Sequence, residues 1–342
     1  GKSAQDAYNV ASAITNNCDA LTKDAMQDVS IMLLDKPTMP KKADASPSYL
    51  LAGLKGGLIG LGVSVLLLIV VSVFRRTILD KNDIKEILGM DYVAKVPLVE
   101  KRHPNNPGLL LNGIGIKADF KHSFHNIRIK MEQDHRKNKN SVYMITSTVP
   151  NEGKTTVSIN TAITLGQKGY KVCLVDLDMR NPSVEKTMRY ANIHRTSLDY
   201  INDKNVNIEQ CIVHKDDIDV IFGSDISVDG STELSKPRLE NLITELREVY
   251  DFVILDVAPL YMMEDALLVA KYADSAVVVV KQDYAEAGDI LDSVDELHDT
   301  LPHIVGVVLN SYKKTFYSSE SSGYGYGYGY GYGYGYGYGR SK

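Results

Sequence analysis

Between Ser141 and Tyr312 the chain alternates apolar, β-rich runs with helical patterns, and this alternation limits the possible folds more than any other feature. The runs cover 141–147, 171–177, 218–222, 252–257, 275–281 and 303–309. Helical periodicity fills about 155–168, 183–190, 235–250, 264–272 and 285–298. Strands that read as continuous apolar stretches are buried on both faces. Alternated with helices, they predict an α/β fold with a mostly parallel sheet covered by helices on both faces.

Three motifs sit at the expected carboxyl ends of strands, where such sheets bind ligands. The first is TSTVPNEGKTT, residues 146–156, between a strand and a helix. That context predicts a P-loop, and hence a P-loop NTPase fold. Pro150, Asn151, Glu152, Gly153, Lys154, Thr155 and Thr156 then form the phosphate-binding turn. Backbone N–H groups and the helix N-terminus face the phosphates, Lys154 reaches the β- and γ-phosphates, and Thr155 coordinates Mg²⁺. Thr148 replaces the first glycine of the usual pattern.

The second motif is VCLVDLDMRNP, residues 172–182, a strand ending in Asp176 and Asp178 with Arg180 beyond. Residues two apart on a strand face the same way, so both carboxylates can address one ligand. The plainer alternative is a solvated strand end with one capping aspartate. The third is DFVILDVAP, residues 251–259, a Walker-B-type strand whose Asp256 holds the metal, usually through water.

Residues 50–74 carry one charge, Lys55. As a helix they extend about 37 Å, enough to cross a hydrocarbon core of about 30 Å. Arg75 and Arg76 follow, which places the C-terminal part inside and residues 1–49 outside. Lys55 can snorkel to the outer interface, and the Gly56/Gly60 spacing favours close helix packing. The outer segment predicts a helix over 4–26, a short strand near Val29–Leu34, and a linker marked by Pro37, Pro40 and Pro47. Too short for a domain of its own, it reads as the end of a larger extracytoplasmic domain, and the initial Gly1 fits a chain cut from a longer one. Residues 75–117 read as a juxtamembrane linker, with an amphipathic stretch at Asp83–Leu88 and a loop-forming run at Lys101–Gly113.

Tyrosine outnumbers phenylalanine 21 to 6, and eight of the tyrosines lie in the strict Gly-Tyr alternation from Gly323 to Gly339. Tyr324, Tyr326, Tyr328, Tyr330, Tyr332, Tyr334, Tyr336 and Tyr338 have no aliphatic neighbours, so this tail is expected to be disordered. Cys18, Cys173 and Cys211 follow no metal-ligand spacing. His122 and His125 share a helical face, which suits a solvated or interface role. A net charge of −5 gives no footprint for nucleic acid as a partner.

Together the three motifs resemble the Walker A, A′ and B elements of the bacterial tyrosine kinases. GSDISVDGSTELSKPRLENLI (223–243), DALLVAKYADSAVVVVKQDYA (265–285) and IVGVVLN (304–310) are similar to further segments of that family. The Pro-rich linker and apolar helix resemble the end of a polysaccharide chain-length-determinant, or co-polymerase, domain fused to such kinases. The resemblance implies ATP and Mg²⁺ as cofactors and a kinase domain over 118–316. It makes the tail, 317–342, the autophosphorylation site, its eight tyrosines being the acceptors. It implies Asp178 as the base, with Lys154, Asp176 and Arg180 beside it in catalysis. Thr155, Asp176 and Asp256 become the Mg²⁺ ligands, and Asn310 a nucleotide contact.

The implied partners are other copies of the chain for phosphorylation in trans, polysaccharide polymerisation and export machinery, and a tyrosine phosphatase. The implied location is the bacterial inner membrane. From Asn310 to Tyr330 a Gly-rich coil reaches about 25 Å, which suits delivery to a neighbour. The family builds rings through a Glu and two Arg on the helix before the P-loop. Here Ala118, Lys121 and Phe124 stand in those places. The alternatives are a switch ATPase of the septum-site and partition type, and a co-polymerase that binds ATP without catalysis. The first usually has a second lysine in its P-loop, and Val149, Pro150, Asn151 and Glu152 supply none.

Overall fold

The computed structural model describes residues 3–25, 32, 34–39, 48–74, 76–100, 103–192, 194–224, 230–261, 264–301 and 303–314. The expected strand near Val29–Leu34 lies outside them, apart from Met32 and Leu34, as do the tail tyrosines and Arg75. The chain divides into two units, Gly1–Phe74 and Arg75–Lys342.

The first unit holds two helices, α1 (Ala4–Ala25) and α2 (Tyr49–Phe74). Ser3 Oγ accepts a bond from Asp6 N, and Ser48 Oγ one from Leu51 N, so each helix starts at a serine. Over Tyr49–Val71, α2 is long and apolar enough to cross a membrane, and none of that stretch is buried. A helix apolar all round belongs in a core or a bilayer, so its exposure is compatible with a membrane anchor.

In the second unit the elements run α3 (Lys81–Glu86), β1 (Tyr92–Pro97), α4 (Ala118–Asn138), β2 (Val142–Ser147), α5 (Lys154–Gly166), β3 (Val172–Asp176), α6 (Val184–Met188), α7 (Ser197–Asn202), β4 (Val213–Lys215), β5 (Ile218–Ile221), α8 (Gly230–Leu234), α9 (Pro237–Val249), β6 (Phe252–Asp256), α10 (Glu264–Ala270), β7 (Ser275–Lys281), α11 (Ala287–Thr300) and β8 (Ile304–Tyr312). The sheet order is β1-β8-β7-β2-β6-β3-β5-β4. Every pairing is parallel except β4 with β5. The expected α/β fold with a mostly parallel sheet is observed.

Alternation along β2 divides the core. Tyr143 and Ile145 join Phe120, Phe124, Ile127 and Val157 on the face covered by α4 and α5. Val142 and Met144 join Leu242, Leu246, Ile290 and Val294 on the face covered by α9 and α11. All six residues of β2 are buried, as the continuous apolar run requires.

Reading 75–117 wholly as a linker needs correction. Asp80 caps α3 in a capping box, and Ile84 is fully buried. β1 adds an edge strand parallel to β8, with Ala94 opposite Val308. The run YVAKVP is short and its partner lies some two hundred residues away, so no local pattern announces it.

Candidate active site

Sheet order brings the motifs together. β2, β6 and β3 are adjacent and parallel, with Ile145 opposite Asp256 and Asp176 opposite Asp256. The loop leaving β2 therefore emerges beside both carboxylates. Gly153, at φ +94°, begins α5, and a Cβ there would come within 2.1 Å of Asn310 Nδ2. Only glycine fits that combination of positive φ and close approach.

Lys154 Nζ lies 2.6 Å from Asp178 Oδ2 and 3.8 Å from Asp256 Oδ2. Thr155 Oγ1 donates to Asp256 Oδ2 at 2.7 Å and lies 2.9 Å from Ser183 Oγ. Ser158 Oγ donates to Asp256 Oδ1 at 2.9 Å. Asp176 accepts from the N–H groups of Asp178, Ser183 and Val184. Burial, then the Asp256 charge, pushes Asp176 up to about 8, with the Val184 N–H bond and the Lys154 charge opposing. Asp256 is likewise raised by burial, with Lys154, Thr155 and Ser158 opposing. Burial disfavours the Lys154 ammonium, but Asp256 and Asp178 outweigh it and raise its value.

Three buried carboxylates thus face one ammonium, an excess of negative charge that suits a further cation. Among the described residues no group of three or more His, Cys, Asp or Glu could hold a metal alone. Mg²⁺ characteristically takes one or two carboxylates and completes its shell with phosphate oxygens and water, so Thr155, Asp176 and Asp256 fit it. The loop fits phosphate too. Thr148 Oγ1 is buried there without a hydrogen-bond partner among the described residues.

Of the other expected site residues, Asn310 Nδ2 donates to the Glu152 carbonyl at 2.6 Å, which ties the end of β8 to the loop. Pro150 and Asn151 are exposed, Asn151 at φ +67°. The Thr156 carbonyl accepts from Asn160. Arg180 bonds Asp265 through Nε and Nη2 at 2.6 and 3.1 Å. Ser158 and Ser183 were missed. Ser158 follows Lys154 by four residues, one helical turn on the same face, and that spacing was a usable signal.

Glu152 turns its carboxylate into the protein. Oε2 accepts from Val149 N at 2.8 Å and Oε1 from Lys281 N at 3.0 Å, so it braces the loop against β7. Burial pushes it up to about 7 against these bonds. A value raised in the folded state gives stability that is full below the ordinary carboxyl range and lost as pH rises through about 7. Glu152→Gln resembles the protonated acid. It should match the parent in thermal unfolding at about pH 5 and exceed it by roughly 1–3 kcal/mol at about pH 9. The amide opposes an N–H with an NH₂, so the loop loses one bond and the nucleotide KM should rise roughly tenfold. Equal KM values would contradict the bracing role.

The model of an AAA domain family matches residues 150–306. A putative tyrosine-protein kinase in the cps region of Klebsiella pneumoniae is 28% identical over 294 residues, which are 82% of this chain and 39% of the relative. The tyrosine-protein kinase YwqD of Bacillus subtilis (strain 168) is 29% identical over 177 residues, 51% of this chain and 74% of the relative. The chain thus spans about two-fifths of the Klebsiella protein's length. In structure, the kinase domain of the Escherichia coli tyrosine kinase ETK aligns with a TM-score of 0.59 at 24% identity, over 71% of this chain and 98% of that domain. The last likeness shows the P-loop NTPase-like α/β fold.

Proposed function

We propose that this chain is an ATP-dependent protein-tyrosine kinase that phosphorylates the tyrosines of its own Gly-Tyr tail. The observation that carries this is the meeting of Lys154, Thr155, Asp178 and Asp256 within one hydrogen-bonded cluster at the head of α5. The α5 N-terminus and Lys154 hold the phosphates, and Lys154 exchanges Asp178 for the γ-phosphate. Thr155, Asp176 and Asp256 would hold Mg²⁺, which would supply neutralising charge to the phosphate oxygens. Freed from Lys154, Asp178 accepts the phenol proton as the tyrosine oxygen bonds to the γ-phosphorus and the bond to ADP breaks. ADP, phosphotyrosine and a protonated Asp178 account for every atom and charge.

The names of the relatives support this over a partition-type switch, as does a loop with no second lysine. α2 serves as the membrane anchor, with Arg75 and Arg76 on the cytoplasmic side. The cps region in one relative's name is consistent with a role in capsular or exopolysaccharide polymerisation and export. Full-length protein incubated with ATP and Mg²⁺ should acquire phosphate on tyrosines between Tyr324 and Tyr338, mapped by mass spectrometry. A protein that binds ATP yet forms no phosphotyrosine would instead be a switch ATPase or a non-catalytic co-polymerase.

A further inference from the structure

A cavity of about 530 Å³ opens between the loop after β3 and the end of β5, and the chemistry proposed above makes no use of it. Its lining includes Pro182, Glu185, Tyr190, His194, Gly223 and Ser224. The inner wall adjoins the reaction centre. A Cβ on Gly223 would come within 2.9 Å of Pro182 Cβ and 3.0 Å of Asp176 Cγ. Pro182 precedes Ser183, whose Oγ lies 2.9 Å from Thr155 Oγ1. Asp178 belongs to the same loop and accepts from Asn181 N at 3.0 Å. The loop that carries the candidate base therefore also walls the cavity.

The outer wall is aromatic and held in place. Arg189 ends α6 at φ +54° and turns the chain, and its Nη2 donates to the Pro104 carbonyl at 2.9 Å. Tyr190 then stacks on Phe222, with centroids 5.1 Å apart and planes at 23°. His194 tilts against the same ring at 4.8 Å, and its Nδ1–H donates to the Asn192 carbonyl at 2.7 Å. Phe222 is fully buried, whereas Tyr190 and His194 are half-buried. A ring entering the cavity meets aromatic surface, with the Glu185 carboxylate and the Ser224 hydroxyl as polar neighbours. An apolar body with a polar tip is the chemistry of a phenol.

We infer that this cavity seats one ring of the Gly-Tyr segment, 323–339, while a second tyrosine, two or four positions along, meets the γ-phosphate. The inference rests on the phosphoryl-transfer reading. From β8 across to β5 every pairing is parallel, so both strands end at the same edge of the sheet. Five strand spacings separate them, about 24 Å. Tyr324 follows Lys314 by ten residues, about 33 Å of extended chain. Even the first tyrosine of the segment can reach the cavity of its own copy. The period fits as well. Residues two apart on an extended chain face the same way, about 6.7 Å apart. Each tyrosine thus has a neighbouring ring on its own side, and the glycines between leave room for the backbone to pass Pro182. A seated ring fixes which neighbour reacts, so acceptor choice depends on spacing.

The test offers free labelled peptides to the full chain in detergent micelles. The eight tail tyrosines of that chain, Tyr324 to Tyr338, are changed to alanine so that they cannot compete. Each peptide copies 323–339 and keeps one tyrosine, in the place of Tyr330. In the first the other seven are phenylalanine, which stacks but accepts no phosphate. In the second they are alanine, and in the third the phenylalanines are moved by one residue onto glycine positions. By fluorescence anisotropy the first should bind at least about tenfold more tightly than the others, as one stacked and buried ring implies. Its KM for phosphorylation should be lower by the same factor. Tyr190→Leu should abolish the preference, and so should Asn192→Trp, which fills the cavity from an exposed position on its lining. Equal affinity for the three peptides, or a preference that survives either substitution, would overturn the proposal. So would an absent preference joined to a change in sedimentation on Asn192→Trp, since the cavity would then belong to a contact between copies. Phosphotyrosine formed without any preference would sink this inference and leave the kinase reading standing. A preference without phosphotyrosine would count against the kinase reading and leave the seat for the ring in place.

Discussion

Lys154→Met should reduce tail phosphorylation by at least about a thousandfold while leaving the protein folded. Its ammonium lies among Asp176, Asp178 and Asp256 and is paired with Asp178 and Asp256. At the γ-phosphate it stabilises charge that shifts during transfer, and cations so placed are worth about 10³–10⁵ in phosphoryl-transfer rates. Breaking a buried ion pair ordinarily costs about 3–5 kcal/mol, through the charge left unpaired. The cost is smaller here, because burial already pushes Asp176 up to about 8 and raises Asp256. These carboxyls take up protons when the ammonium is lost. Arginine should not rescue the variant, since its planar fork differs in shape from a compact ammonium. Quantitative phosphotyrosine detection, with thermal unfolding as the folding control, decides the matter. Residual activity within tenfold of the parent would show that Lys154 does not reach the transferred phosphate.

The parts of this arrangement that depend on local pattern were legible in the sequence, and those that depend on distant pairing were not. The β2, β3, β6 and β7 runs are mostly apolar because both faces are covered, so their existence and the carboxylates at the ends of β3 and β6 could be read directly. Gly153 and Lys154 were legible because a strand, a turn and a helix surround them. Nothing local distinguishes β1, whose six residues gain a strand's identity only by lying beside β8. The pairing of Arg180 with Asp265 was hidden for the same reason, since 85 residues separate them. Glu152 was assigned to the ligand because of its place in the loop. Its side chain instead meets Val149 and Lys281, and only the fold shows which way it points.

Asp178→Asn should separate chemistry from binding. Asp178 Oδ2 holds Lys154 at 2.6 Å, and Oδ1 accepts from Asn181 N at 3.0 Å. An amide keeps the second bond, but it can neither hold the ammonium by charge nor take a proton. Loss of a general base should lower kcat by about 10²–10⁴. The nucleotide KM should fall or stay level, because Lys154 no longer has to leave a carboxylate to meet phosphate. If Asp178 only positioned Lys154, kcat and nucleotide affinity would weaken together. The acceptor provides a second discriminant. A tyrosine phenol titrates near pH 10, and its proton must leave as the new bond forms. Tails carrying fluorinated tyrosines, whose phenols are more acidic, should therefore recover part of the lost rate in Asp178→Asn and gain much less in the parent. An equal response in both proteins would mean that Asp178 takes no proton, and the search for the base would move to Asp176.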